Sequence, residues 1–179
     1  PHFRHNPEVG AKKLWRLRKL DELDALNDFV SAVYPEIGAV SVENIAGSWQ
    51  LFVKVQGRKE RMPLALHSAG ASKFIAILLG IASKTQSCVL IDEIENGFYF
   101  RKFTDVWKAF HSLAKSFNCQ LFVSTHSMEC LKALLPVLEG HERDFSLIKT
   151  YRDKHGAARV VSSSGESMLA AIAEDLDVR

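Results

Sequence analysis

The stretch SCVLIDE at residues 87–93 decides the fold, because it joins a short apolar run directly to two acids. The apolar residues Cys88 to Ile91 are typical of a central parallel strand, which is buried on both faces. Asp92 and Glu93 fall where that strand ends, and open α/β sheets bind their ligands at the carboxyl ends of their strands. An acidic turn without a function is the alternative interpretation of this stretch.

A second apolar run, Gln120 to Val123, precedes the polar sequence STHS at residues 124–127. The separation of 34 residues between Asp92 and His126 leaves room for one helix and a return to the adjacent strand. We therefore predict two neighbouring parallel strands that bring His126 and the acids to one sheet edge. There Asp92 can hold a magnesium ion, Glu93 can polarise a water and His126 can contact a terminal phosphate. A structural histidine is the alternative.

The third element is a turn of small residues, His67 to Gly70, that opens a helix rich in Ile, Leu and Ala. Free backbone N–H groups and the positive end of the helix dipole at such a turn suit an anionic phosphate. An ordinary N-cap serine at Ser68 explains the same residues. The three elements together are harder to explain by chance than any one alone.

Strands and helices alternate from residue 68 onward, which predicts an α/β layer with right-handed crossovers. Before them the sequence predicts one long helix and a β-hairpin around Gly47-Ser48. The expected helices are 12–34, 73–83, 98–117, 127–135 (ended by Pro136) and 165–176, and the further expected strands are 40–46, 49–55, 145–152 and 158–162.

Composition narrows the class of protein. The chain has 179 residues, of which 47% are hydrophobic and 25% charged, which is typical of a globular domain. Its 23 basic and 21 acidic residues nearly cancel, so overall charge does not argue for nucleic acid or an anionic membrane. The apolar stretch from Phe74 to Ala82 is too short to span a bilayer. Three cysteines without CxxC spacing predict reduced thiols and a cytoplasmic location.

The three elements resemble the motifs of ABC-type ATPase heads, the class that includes SMC-like and DNA-repair ATPases. Ser68-Ala69-Gly70 resembles a degenerate signature motif, Asp92-Glu93 a Walker B motif, and Ser124-Thr125-His126 the switch histidine. The longer stretches 90–97 and 124–130 are similar to the AAA-type, ABC-like ATPases grouped with the overcoming-lysogenisation-defect family. The terminal residues 177–179 also resemble the usual end of such chains.

The resemblance implies a partial P-loop NTPase fold, with a central, mainly parallel sheet flanked by helices and preceded by a helix and a β-hairpin. Residues 1–179 would form the C-terminal portion of one ABC-type ATPase domain, divided into a helix and hairpin region (1–62) and a signature, Walker B and switch core (63–179). The implied cofactors are ATP and Mg²⁺, and the implied partners are a second copy of the chain and either DNA or a partner protein.

The resemblance also implies a role for each motif residue. Glu93 and His126 would be catalytic, and Asp92 would bind the metal. The nucleotide-contacting residues would be Ser68, Ala69 and Gly70 of the signature motif and Glu95, Asn96 and Gly97 of the D-loop.

This sequence departs from the family pattern at several positions. His67, Ala69 and Ala71 replace the usual Leu, Gly and polar residue, and residues 98–100 (FYF) stand where such proteins often carry Leu and His. No Gly-Lys pair occurs anywhere in the chain, so it contains no P-loop. Ser83-Lys84-Thr85 is a poor substitute, because it follows a helix and lacks both glycines. We therefore expect the C-terminal half of a longer ATPase, inactive by itself.

The sequence leaves two other hypotheses open. One is a non-catalytic half-head that acts as an interaction or regulatory module. The other is a metal-dependent nuclease that uses Asp92, Glu93 and Glu95. Acids this close along one segment point in different directions, and no separate acidic cluster completes a two-metal site, which disfavours the nuclease.

Overall fold

The computed structural model describes residues 7–19, 23–83 and 86–174. The chain divides into two compact units, Pro1–Ser124 and Thr125–Arg179. The chain end at residues 177–179 and the Lys84-Thr85 pair lie outside the described residues. Among the described residues, no helix is both long and apolar enough to cross a bilayer.

The first unit begins with two helices, α1 (Pro7–Lys19) and α2 (Leu23–Val33), where the sequence predicts one helix over 12–34. Residues 20–22 between them lie outside the described part of the chain. Helix α2 buries Leu26, Val30 and Val33, which the helical period places on one face. It ends shortly before Pro35, because a proline disfavours helical geometry in the residue that precedes it.

The predicted hairpin is confirmed as β1 (Ile37–Ile45) and β2 (Ser48–Val55), paired antiparallel. Its two turn residues, Ala46 and Gly47, have φ angles of 50° and 86°. Positive φ at both positions is the geometry of a type I′ turn, whose twist matches that of the flanking strands. The short strand β3 (Met62–Pro63) extends the sheet beside β2.

Helix α3 (Ala69–Ile81) lies in the core of the first unit. Ser68 is its N-cap, and the serine Oγ accepts a hydrogen bond from the backbone N–H of Ala71 at 3.0 Å. The ring of Phe74 on α3 stacks on Phe110 of α4 (Phe103–Ser116) with centroids 5.4 Å apart. Helix α4 begins five residues later than predicted, because residues 100–102 form a 3-10 turn.

The two strands predicted to carry the acids and His126 at their ends are confirmed as β4 (Cys88–Ile91) and β5 (Gln120–Val123). They pair in parallel from Cys88 beside Gln120 to Ile91 beside Val123. The prediction that they are buried on both faces is wrong for one face. Leu90 is 77% exposed and its neighbour Phe122 is 44% exposed, because the described residues cover only the opposite face.

The α/β class is confirmed, although the sheets of the described residues are small. The first unit holds the antiparallel β1-β2-β3 sheet and the parallel β4-β5 pair, and the second unit holds one antiparallel pair. The parallel part of the described fold is therefore one pair of strands, and this pair carries the acids.

The second unit contains α5 (Met128–Lys132), α6 (Leu135–Leu138), the hairpin of β6 (Ser146–Arg152) and β7 (Ala158–Ser164), and α7 (Gly165–Ala173). The prediction that Pro136 ends a helix is wrong. Pro136 lies in the first turn of α6, where the missing N–H has no intrahelical partner to lose. At the hairpin turn, hydrogen bonds from the backbone of His155, the side chain of Arg159 and the backbone of Ala157 lower the pKa of Asp153.

A close backbone contact joins α3 to the loop after β4. A Cβ atom on Gly70 would lie 2.4 Å from the carbonyl oxygen of Gly97 and 2.9 Å from the hydroxyl of Tyr34. Real Cβ atoms do not approach other atoms this closely, so only glycine fits at position 70. The requirement is steric, because Gly70 lies in an ordinary helix.

We predict that Gly70→Ala destabilises the chain by roughly 1–3 kcal/mol, because the backbone of Gly97 must shift to admit the methyl group. Gly80→Ala is the matched control on the same helix. Its Cβ would meet Val89 at 3.9 Å, an ordinary contact, so this variant should be neutral or up to about 1 kcal/mol more stable. Urea unfolding of both variants measures the difference, and equal stabilities would contradict the contact.

Tyr34 packs its ring against Phe74 with centroids 5.7 Å apart, and the ammonium of Lys102 lies 4.0 Å from the ring centroid. Burial, with a smaller contribution from the charge of Glu36, raises the pKa of Tyr34 to about 12. The fold therefore favours the neutral phenol. The contribution of the neutral Tyr34 to the free energy of unfolding is fully present below about pH 10 and is lost as the pH rises from about 10 to about 12.

We predict that absorbance at 295 nm shows one tyrosine ionising near pH 12 in the folded chain. Tyr34→Phe should remove this late step. Tyr99→Phe is the control and should leave the late step in place, since Tyr99 is exposed. A late step that persists in Tyr34→Phe would show that another tyrosine is responsible.

Candidate functional site

The ends of β4 and β5 are tied together beyond their last residues. The backbone N–H of Ser124 donates to the carbonyl of Ile91 at 2.9 Å, and the N–H of Ile94 donates to the carbonyl of Ser124 at 3.0 Å. The two segments that follow β4 and β5 therefore remain hydrogen-bonded to each other across the acidic residues. This pairing places Ser124 beside Asp92 and Glu93.

The hydroxyl of Ser124 contacts both acids. Its Oγ donates a hydrogen bond to Oδ1 of Asp92 and accepts one from the backbone N–H of Glu93 at 2.8 Å. Asp92 is exposed and Glu93 is half-buried. One side chain from the neighbouring strand end thus orients one carboxylate and the backbone of the other acid.

Glu93 has a φ angle of 45°, in the left-handed region that residues other than glycine seldom adopt. Its carboxylate accepts a hydrogen bond from the side-chain amide of Asn96. The backbone N–H of Asn96 also donates to the carbonyl of Glu93 at 3.0 Å. An uncommon backbone conformation at an acidic strand end, held by several hydrogen bonds, is a feature of functional sites.

Lys73 reaches this segment from α3. Its ammonium donates to the carbonyls of Glu93 at 2.8 Å, Asn96 at 3.0 Å and Ile94 at 3.3 Å. It also lies 5.5 Å from the ring centroid of Phe98. Lys73 is 7% exposed, so its charge is balanced inside the fold by these carbonyl dipoles.

The first unit brings two of the predicted site groups together. Gly70 of the signature-like turn packs on Gly97, in the loop that follows the buried Ile94 and the half-buried Glu95. Ser68 is half-buried and caps α3, and Ala69 is exposed beside it. The N-terminus of α3 and the loop over 95–97 therefore form one surface, whose nucleotide contacts stay a prediction.

His126 belongs to the second unit, where its side chain is exposed. Its neighbours stabilise the local turn. The Oγ1 of Thr125 accepts from the N–H of Ser127, and the Oγ of Ser127 caps α5 by accepting from the N–H of Cys130, each at 3.1 Å. The catalytic role of His126 stays a prediction.

Sequence reasoning missed the roles of two residues. Ser124 is part of the Ser124-Thr125-His126 motif, but its position in the sequence does not show that its hydroxyl contacts both acids. The sequence does contain a pattern that indicates a role for Lys73, because Lys73 is the only charged residue in the apolar helix AGASKFIAILLGI. A single cation in a buried helix needs acceptors, and here the acceptors are the carbonyls of the acidic segment.

The described residues contain no group of three or more His, Cys, Asp or Glu side chains arranged to hold a metal ion. A single exposed carboxylate at Asp92 fits Mg²⁺, which binds through one or two carboxylates and fills its other positions with water and substrate phosphates.

Comparison with solved structures relates the fold to SMC ATPase heads. One similar chain, from work on ATP-driven dimerization and DNA-stimulated activation of SMC ATPases, matches 91% of this chain and 96% of its own length with a TM-score of 0.54 and 17% identity. The Smc head domain from Pyrococcus furiosus, bound to the C-terminal domain of ScpA, matches 92% of this chain and 40% of its own, with a TM-score of 0.62 and 17% identity. These likenesses confirm the P-loop NTPase-like fold.

Sequence comparison supplies the family. An ATP/GTP phosphatase from Helicobacter pylori is 33% identical over 100 residues, which cover 54% of this chain and 26% of that protein. The chain therefore spans about a quarter of this curated relative. The family model of the AAA ATPase domain matches residues 16–131, which include the signature-like turn, both acids and His126. The chain belongs to the AAA ATPase domain family.

Proposed function

We propose that this chain is the C-terminal half of a cytosolic ABC-type AAA ATPase, of the group that includes the overcoming-lysogenisation-defect proteins, which hydrolyses ATP between two copies. One observation carries the proposal. Asp92 and Glu93 lie at the end of a parallel strand pair, and the Ser124 hydroxyl of the neighbouring strand end holds both. Family membership supports the ATPase chemistry.

In this proposal the two acids have different tasks. Asp92 is exposed and would hold Mg²⁺, which when bound neutralises charge on the nucleotide phosphates. Glu93 would orient and polarise the attacking water. Asn96 holds the carboxylate of Glu93 in place from within the same loop. His126 would contact the terminal phosphate.

The N-terminus of α3 would serve the nucleotide of the second copy. Ser68, Ala69 and Gly70 present backbone N–H groups at a helix start, and such groups suit phosphate. In the loop Glu95-Asn96-Gly97, Gly97 packs against Gly70 at this helix start, and the loop would contact the same second copy. The similar SMC chain undergoes ATP-driven dimerization, which supports an ATP-dependent homodimer here.

The P-loop would come from another part of the parent protein. The exposed apolar side chains of Leu90 and Phe122 on the open face of β4-β5 support this arrangement. Large apolar neighbours exposed side by side indicate a surface made to be covered. We propose that the P-loop half of the parent covers this face.

The work coupled to hydrolysis involves DNA or a partner protein in this proposal. The similar SMC structures concern DNA-stimulated activation and the binding of ScpA. A second candidate function is a non-catalytic half-head that serves as an interaction module. The absence of any Gly-Lys pair from this chain favours that candidate.

We predict that the 179-residue chain alone binds ATP no better than about millimolar, or roughly 4 kcal/mol, because the P-loop amides and lysine supply most phosphate contacts. Calorimetry with Mg-ATP measures this affinity. Adding the P-loop half of the parent should raise it at least about tenfold. Micromolar binding by the chain alone would contradict the half-site proposal, and no gain with the added half would favour the interaction module.

We predict that Glu93→Gln in the full-length parent slows ATP hydrolysis about a hundredfold or more, because general-base groups contribute ~10²–10⁴. ATP binding should survive, so this variant should accumulate as an ATP-dependent dimer. Asp92→Asn should instead weaken magnesium dependence, and His126→Ala should lower turnover. Steady-state phosphate release and size-exclusion chromatography, each with and without ATP and magnesium, measure these effects.

The matched control is Glu60→Gln, the same chemical change at an exposed glutamate far along the chain from the acids. It should leave turnover and oligomeric state unchanged. Unchanged turnover in Glu93→Gln would overturn the catalytic assignment even though the fold is right.

A further inference from the structure

We propose that Lys73 is a positioning residue for hydrolysis, which holds the backbone of Glu93 in its active conformation and links that backbone to helix α3. The inference rests on the proposed function and goes beyond it, because no motif of the family resemblance includes Lys73.

The backbone of Glu93 is held from both directions. Its N–H donates to the Oγ of Ser124 at 2.8 Å, and its carbonyl accepts from the ammonium of Lys73 at 2.8 Å. The first contact comes from the end of β5 and the second from α3. Glu93 lies between them with a φ angle of 45°. A left-handed glutamate is disfavoured by itself, so surrounding contacts must stabilise it.

Lys73 binds backbone carbonyl groups of the segment that contains Glu93. Its ammonium has three protons, and the carbonyls of Glu93, Ile94 and Asn96 lie within 3.3 Å. These acceptors belong to three of the four residues 93–96 in the turn after the strand. A buried charge is tolerated only when such acceptors replace water. The lysine therefore specifies the path of this turn as well as the position of one oxygen.

The same helix contacts the turn at a second point. Gly70 packs against Gly97, and Lys73 follows Gly70 by one helical turn, so both residues lie on one face of α3. Helix α3 thus contacts the segment 93–97 near both ends of that segment, through Lys73 at residue 93 and through Gly70 at residue 97. In this proposal, these contacts connect the helix start, where the second copy's nucleotide would bind, to Glu93.

A purely structural lysine makes a different prediction from a positioning lysine. If Lys73 only stabilises the core, its loss lowers the amount of folded enzyme and acts independently of Glu93. If it positions Glu93, its loss lowers kcat in the folded enzyme and has little further effect once the Glu93 carboxylate is gone. The local backbone of 93–97 should also loosen.

The test compares Lys73→Met, Glu93→Gln and the double variant in the full-length parent. Lys108→Met is the matched control, because it removes an exposed lysine from α4 by the same substitution. The readouts are kcat and KM for ATP per folded protein, and amide hydrogen exchange over residues 93–97. If Lys73→Met does not fold, Lys73→Gln, which keeps a donor but removes the charge, is measured in its place.

We expect the lysine variant to lower kcat about tenfold or more, with the KM for ATP changed less than about threefold. Exchange over 93–97 should become faster, and Lys108→Met should change neither quantity. In the Glu93→Gln background, loss of Lys73 should lower kcat by less than about twofold further.

The outcomes separate this inference from the proposed function. If Glu93→Gln leaves turnover unchanged, the proposed function fails and the inference fails with it. If Glu93→Gln is impaired but the lysine variant keeps its kcat or its slow exchange, the inference alone is overturned. Equal losses in both backgrounds would also overturn it, since they would assign Lys73 a structural role.

Discussion

The parallel pairing of β4 with β5, continued past the strands by Ser124, is the constraint on which the rest of the site depends. The pairing brings two segments far apart in the sequence to one sheet edge. Because Ser124 then contacts Asp92 and the backbone of Glu93 with one hydroxyl, the geometry of both acids follows from strand register. A register shift would separate the serine from the acids and remove their shared anchor.

Helix α3 has two roles, which different residues of the helix perform. Its apolar side chains fill the core of the first unit, with Phe74 packed between Tyr34 and Phe110. Its first turns contact the loop after β4 through Gly70 and Lys73. The helix is held by the core and in turn holds the loop. Because α3 is fixed by its packing, its contacts with the loop help to stabilise the left-handed backbone of Glu93, a conformation that is disfavoured by itself.

The β4-β5 pair is buried on one face and exposed on the other among the described residues. Its covered face packs on helices, whereas Leu90 and Phe122 on the other face meet solvent. A sheet of two strands with one bare apolar face gains little stability from itself. The chain spans about a quarter of the curated relative, and in the proposed function another part of the parent protein covers this face.

The sequence by itself determined the strands 88–91 and 120–123, the first hairpin and the position of the acids, because apolar runs and turn residues act locally. Two expectations from the sequence were wrong. Pro136 begins a helix instead of ending one, and β4 is buried on one face only. The contacts of Ser124 and Lys73 with Glu93 needed the tertiary structure, because a hydrogen bond depends on distance and direction in space, which spacing along the chain does not encode.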